Sequence, residues 1–253
     1  MGNLARVSLM AAIVLHGAFA VAADPVDAPA ATEPAVFPGD EVFDQRDPWE
    51  SMNRSVFRFN TALDYNLFRP VARGYRAVMP DPLETGVSNF FSNLGDVTSA
   101  VNNALQGKLN ATLSDASRVI VNSTLGLLGF VDFASKYGDG KLPKRGEDFG
   151  QTLGVWGFDT GPYLVLPLLG PSSTRDFAGW TVDFFALDPL LLIDDDLAFY
   201  STLTLRYIDR RAAFLTVTDL ADQAALDPYV FYREAYFQRR GVQVRDGEPP
   251  ADF

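Results

Sequence analysis

The chain has 253 residues, 47% hydrophobic and 13% aromatic, with 32 acidic against 21 basic side chains and a formal net charge of −11. That balance argues against a nucleic-acid partner, which needs clustered Lys and Arg to neutralise phosphates. The sequence contains no Cys and one His, His16, so disulfides, thiolate or imidazole metal sites and Ser-His-Asp or Cys-His nucleophilic centres are excluded from the body of the chain.

Met1 to Ala23 carries one cation, Arg6, an apolar stretch from Val7 to Val21 and small residues at Ala18, Ala20, Ala22 and Ala23. This layout predicts a cleaved secretory signal over 1–23, and hence an exported chain, because the stretch is too short for a spanning anchor. Cleavage removes His16. Residues 24–46 are rich in Pro, Ala and acid without an apolar period and read as a disordered linker. A folded body is expected over 47–240 and a disordered tail over 241–253.

Within the body, Met52, Val56, Phe59, Leu63 and Leu67 recur at helical spacing and predict an amphipathic helix from Ser51 that Pro70 stops. A second helix after Pro82 aligns Val87, Phe90, Phe91, Leu94, Val101 and Leu105 on one side; a third, from about Ala111, aligns Leu109, Leu113, Ala116 and Ile120. Such stripes ordinarily face a core. Ten of the 20 glycines fall between Gly126 and Gly170. Among them, Gly150-x-x-x-Gly154 and Gly157-x-x-x-Gly161 would let helices approach closely. Pro162 to Pro171 is too interrupted for a long helix and predicts an extended or irregular apolar segment. Ser172 can cap a helix through Ala186, Asp194-Asp195-Asp196 can start one through Val217, and Pro228 to about Arg240 predicts the last. The aspartate triplet lacks the alternating spacing, Gly and closing Glu of a calcium loop. Beyond the signal no apolar run reaches the length of a spanning helix, so residence in a bilayer would need shorter helices that satisfy their own backbone groups.

Nucleotide-binding and hydrolase motifs are absent: Gly107-Lys108 and Gly140-Lys141 lack the earlier Gly of a phosphate loop. The remaining catalytic option is a carboxylate pair drawn from Glu147, Asp148, Asp176 and Asp183, which nothing in the sequence brings together. Arg far outnumbers Lys, a bias that suits bidentate phosphate binding but that a GC-rich genome explains equally well.

Several ordered motifs carry a family resemblance. They are Asp47-Pro48-Trp49-Glu50-Ser51-Met52-Asn53-Arg54 with Phe57-Arg58-Phe59-Asn60, Ser88-Asn89-Phe90-Phe91-Ser92-Asn93-Leu94, Asn103-Ala104-Leu105-Gln106-Gly107-Lys108 and Arg118-Val119-Ile120-Val121-Asn122-Ser123. Glu147-Asp148-Phe149-Gly150-Gln151-Thr152-Leu153-Gly154, Gly170-Pro171-Ser172 with Arg175-Asp176, and Asp227-Pro228-Tyr229 with Arg233-Glu234-Ala235-Tyr236 continue the order to about residue 240. Together they resemble the VacJ/MlaA family of outer-membrane phospholipid-transport proteins.

The resemblance implies a mainly α protein: a ring-like bundle of amphipathic helices embedded in the inner leaflet of the outer membrane, with a central amphipathic channel. It further implies phospholipid as cargo, association with a trimeric porin, hand-over to a soluble periplasmic lipid carrier and retrograde transport that preserves lipid asymmetry, with no cofactor and no metal. Many members carry a lipidated Cys at the signal cleavage site, and this sequence has none; membrane residence is then expected to rest on apolar surface and partners. Exposing two acyl chains of about fifteen carbons to water costs on the order of 20 kcal/mol, so a conduit needs apolar walls and a polar track. On this reading Asn53, Arg54, Phe59, Asn60 and Asp64 line or position the channel, whereas Arg118, Arg175 and Asp176 serve as internal pairs or headgroup contacts. The alternatives are a periplasmic carboxylate-dependent hydrolase and a porin-associated structural scaffold.

Overall fold

A computed structural model describes residues 45–136 and 142–247. The signal over 1–23, nearly all of the linker and the end of the tail from residue 248 lie outside the described residues. In chain order the elements are α1 (Glu50–Leu63), a π-helical turn (Asp64–Phe68), α2 (Arg69–Val78), α3 (Asp81–Leu105), α4 (Leu109–Thr124) and α5 (Phe149–Val155). Strands β1 (Tyr163–Leu166) and β2 (Gly170–Ser173) follow, then α6 (Thr174–Val182), a second π-helical turn (Asp183–Leu187), a 3-10 turn (Pro189–Leu192), α7 (Asp196–Ala213), α8 (Leu215–Ala224) and α9 (Pro228–Val244). The protein is therefore mainly helical, and no helix among the described residues is long and apolar enough to cross a membrane.

Several boundaries differ from the sequence reading. Pro70 does not stop the first helix. Proline cannot bond the carbonyl four residues back and crowds it, but here the π-helical turn widens the helix just ahead, with the Arg69 N–H donating to the Asp64 carbonyl, and Pro70 falls in the first turn of α2. The helix expected through Val217 breaks at Phe214 into α7 and α8, and α9 runs past Arg240 to Val244, so its last turn occupies the start of the expected tail.

The larger correction concerns the stripes on α3 and α4. Leu109, Leu113 and Ile120 are 70%, 66% and 64% exposed, and Val101 and Leu105 also stand exposed. The buried side of α4 is Ala111, Asp115, Arg118 and Asn122; that of α3 includes Asn93, Asp96, Ser99 and Asn103. These polar groups satisfy one another across an antiparallel helix pair. Ser99 Oγ and Asn103 Nδ2 donate to Asp115 Oδ2 at 2.6 and 2.8 Å, Arg118 Nε donates to Asp96 Oδ2 at 2.9 Å, and Asn93 Nδ2 donates to Ser123 Oγ at 3.0 Å. Arg118, 1% exposed, also donates to Ser135 Oγ at 2.9 Å, to the Leu142 carbonyl at 2.8 Å and to both Asp132 oxygens at 3.3 Å. The seam therefore tolerates burial because few of its charges or donors are left unmatched.

The interrupted segment after Gly161 forms an antiparallel hairpin, with Tyr163 opposite Ser173 and Leu166 opposite Gly170. Two asparagines spaced two helical turns apart on α1 grip it. Asn53 donates to the Tyr163 carbonyl at 3.0 Å and accepts from the Val165 N–H at 2.9 Å. Asn60 donates to the Leu166 carbonyl at 2.9 Å and accepts from the Leu168 N–H at 2.9 Å, bracing a Leu168 held at φ +67°. Each amide thus acts as one rung of a sheet ladder on the free edge of β1.

Apolar packing is confined to small separate clusters, such as Val56, Tyr163, Val165 and Tyr229, or Phe184, Leu190, Phe199 and Leu203. Where α5 crosses α6, a Cβ on Gly179 would meet the Gly150 nitrogen at 2.2 Å and its Cα at 2.5 Å. Gly150 thus has the close-approach role read from sequence, whereas Gly157 and Gly161 lie outside the helices at φ +92° and +69°, the first in a turn and the second where a Cβ would meet Thr174 Oγ1 at 2.1 Å. Gly179→Ala should destabilise the fold by about 1–3 kcal/mol. Gly74→Ala, with open space around its Cβ on α2, should leave stability unchanged or gain up to about 1 kcal/mol; thermal unfolding followed by circular dichroism separates the two.

Candidate functional site: a polar interior under an apolar skin

Among the described residues the buried set holds more polar and charged side chains than hydrophobic ones, 20 against 14, the reverse of an ordinary soluble core. Large apolar side chains stand outside instead: Leu125, Leu127, Leu128 and Phe130 in the turn after α4 continue the exposed line of Leu109, Leu113 and Ile120. Leu127 and Leu128 even occupy left-handed backbone, at φ +52° and +60°, a cost accepted in a turn that stays exposed. Apolar surface on this scale fits a lipid or protein partner rather than bulk water.

The densest polar junction joins α5, α6 and α9. Asp148 caps α5 by accepting the Gln151 N–H at 2.8 Å. Arg240 of α9 grips both Asp148 oxygens at 2.6 and 2.9 Å and reaches Asp176 Oδ2 at 2.6 Å. Burial alone would raise the Asp148 carboxyl, but Arg240 holds it below the ordinary carboxylate range. Asp176 also meets Arg175 Nε at 3.0 Å and accepts from the Tyr236 hydroxyl. Asp183 behaves differently. It accepts the Phe149 N–H at 2.8 Å and Asn102 Nδ2 at 3.0 Å, yet burial pushes it up to about 6. Asp148 and Asp176, weighed above as an acid/base pair, thus both bind one guanidinium, an arrangement that locks helices together.

The residues expected at the channel separate by location. Asn53 is buried, and together with Asn60 it holds the hairpin. Arg54 meets Glu50 at 2.6 Å and Asp227 at 3.0 Å and lies over the Tyr229 ring. Asp64 accepts from Arg69 at 2.8 Å and Arg211 at 2.6 Å; burial opposes its ionisation, but the two guanidiniums hold it below the ordinary range. Phe59 is exposed. Arg118 lies in the α3/α4 seam, and Arg175 and Asp176 lie at the α5/α6/α9 junction. The structure does not gather these residues around a single cavity.

Other side chains with displaced ionisation, missed from sequence, lie on α7. Tyr207 and Arg210 share one face of α7 and are both exposed, yet crowding by protein is the leading influence on each, raising the Tyr207 phenol and lowering the Arg210 guanidinium. Asp148 has the same double character, more than a third open but strongly desolvated. A cavity of about 410 Å³ opens near the same junction, lined by Lys108, Arg145, Glu147, Gln151, Gln243 and Asp246 among others.

Asp183 supplies a pH test. A carboxyl raised to about 6 in the folded state, against about 3.9 in an unfolded chain, binds its proton more readily when folded. Its contribution therefore favours the fold increasingly as pH falls from about 6 toward about 4. Denaturant unfolding at pH 7 and pH 5 should show a relative gain at the lower pH in the parent chain that Asp183→Asn lacks.

A family model described as MlaA lipoprotein matches residues 45–243. An uncharacterized protein of Rickettsia felis is 36% identical over 199 residues, which is 79% of this chain and 78% of the relative. The intermembrane phospholipid transport system lipoprotein MlaA of Escherichia coli (strain K12) is 36% identical over 203 residues, 80% of each chain. A solved structure described as the structural basis for maintenance of bacterial outer membrane lipid asymmetry aligns with a TM-score of 0.68 at 35% identity, over 78% of this chain and 98% of that one. Likeness in sequence and in fold thus runs through the same body of helices, and the chain belongs to the MlaA lipoprotein family.

Proposed function

We propose that this chain is the outer-membrane component of an intermembrane phospholipid transport system. It removes phospholipid from the outer leaflet and passes it to a soluble periplasmic carrier, maintaining the asymmetry of the membrane. The observation that carries this reading is the inverted distribution of polarity, with 20 buried polar or charged residues beside exposed leucines and phenylalanines, in a member of a family whose named relatives belong to such a system. Acyl chains exchange a bilayer for apolar protein surface at little cost, while a zwitterionic or anionic headgroup needs a wet, charged path.

On this reading the ring of helices sits in the inner leaflet from the periplasmic side, held by the outward face of α3 and α4 and by a trimeric porin. Lipid moves without making or breaking a covalent bond, so the chain is not an enzyme, and any energy enters through partners. Asn53, Arg54, Asn60 and Asp64 position the passage by fixing the hairpin and the α1–α2 bend; Phe59 lies along it.

Deleting the gene should raise detergent sensitivity and increase surface phospholipid open to externally added phospholipase, with rescue by the parent chain. Unchanged surface phospholipid in the deletion strain would reject transport in favour of a scaffold. Phe59→Asp should fail to rescue at normal protein level; full rescue removes Phe59 from the passage.

A further inference from the structure

We propose that the end of α9, from Val242 to Gly247, is a strap that closes over the buried carboxyl group of Glu147 and opens when that group is ionised. The geometry is that of a latch across a gap. The cavity of about 410 Å³ is lined from α9 by Val242, Gln243 and Asp246, and from the body by Lys108, Arg145, Glu147 and Gln151. Lys108 Nζ meets Asp246 Oδ1 at 2.5 Å and stands 3.9 Å from Glu147 Oε1. One ammonium thus serves two carboxyl groups, one on the body and one on the strap. The strap also has a seat on α5, where a Cβ on Gly154 would meet Val244 Cγ1 at 2.9 Å; the second glycine of the Gly150-x-x-x-Gly154 pair leaves the room that Val244 takes. Ahead of the strap, Arg240 is fixed to Asp148 and Asp176, which confines opening to the residues that follow it.

Glu147 is 7% exposed although it lines the cavity. From the end of α3, Gln106 Nε2 donates to its Oε2 at 3.0 Å, and Ser99 Oγ, itself bonded to Asp115, accepts the Glu147 N–H at 3.0 Å. The turn after α3 contributes Lys108 and α9 contributes Asp246. Its chain neighbours are Arg145, which stands 3.9 Å from Asp115, and Asp148, which Arg240 neutralises. Burial is the largest influence on Glu147 and raises it; Gln106 and Lys108 pull it down, Asp246 and Asp148 push it up, and the net result is a rise. Two of the raising influences, cover from water and the Asp246 charge, are supplied by the strap. Linkage is reciprocal, so if the closed strap favours a proton on Glu147, that proton favours the closed strap. As pH rises and Glu147 ionises, its charge gains by meeting water, and the strap loosens.

Amide hydrogen exchange of the purified full chain in neutral detergent tests the strap, with parent and variant compared at the same pH so that the intrinsic pH dependence of exchange cancels. Glu147→Gln stands in for the protonated group. At pH 8 residues 242–247 of the parent should exchange at least about threefold faster than those of Glu147→Gln, and the ratio should fall toward one as pH is lowered to 5. Asp246→Asn, at an exposed position, cuts the latch and should speed exchange of the same residues by at least about threefold at both pH values; it carries the test if the glutamine variant fails to fold. Residues 93–122 of the α3/α4 pair should exchange alike in all three chains. A parent strap no faster than that of Glu147→Gln at pH 8, or a strap unmoved by Asp246→Asn, overturns the inference. So does a change of the same size over residues 93–122, which would mark general loosening.

Discussion

A charge moved away from water must meet an opposite charge, and its remaining donors and acceptors must be filled, or the fold loses several kcal/mol per ion. Here that constraint falls on a handful of arginines. Arg118 ties α3, α4 and the segment that follows them through Asp96, Asp132, Ser135 and the Leu142 carbonyl. Arg240 ties α9 to α5 and α6 through Asp148 and Asp176, and Arg233 ties the same helix to Asp47 ahead of α1. These cross-links bridge helices distant in the chain, so the polar interior takes over the organising role that an apolar core plays in a soluble protein.

The apolar side chains freed from that role become surface. On α4 the Leu109, Leu113 and Ile120 line is ordinary in sequence and unusual only in where it points. Water would penalise such a surface, whereas acyl chains or a partner's apolar face would not. The hairpin between Tyr163 and Ser173 completes the arrangement: its backbone is secured by Asn53 and Asn60 rather than by further strands, which lets a two-stranded unit persist where it would be marginal alone.

The same constraint gives the interior its chemistry. Paired arginines such as Arg118 and Arg240 lock helices through carboxylates. The carboxylates considered for catalysis fall on the rigid side, since Asp148 and Asp176 share Arg240.

Sequence alone determined the helical character, the extended segment after Gly161, the close approach at Gly150 and, through ordered motifs such as Asp47-Pro48-Trp49-Glu50, the family. Those features are local: periodicity, turn residues and motif order are written within a few neighbouring positions. Which side of α3 and α4 faces inward was not legible, because a stripe of leucines has the same period whether it meets a core or a lipid; only the meeting of Ser99, Asn103 and Asp115, or of Asp96 and Arg118, across two helices decided it. Tertiary structure likewise decided that Asn53 and Asn60 hold a hairpin and that Arg211 meets Asp64 and Arg240 meets Asp148. Pairing partners lie more than a hundred residues apart in several of these contacts, and no local pattern records which distant carboxylate a given arginine will meet.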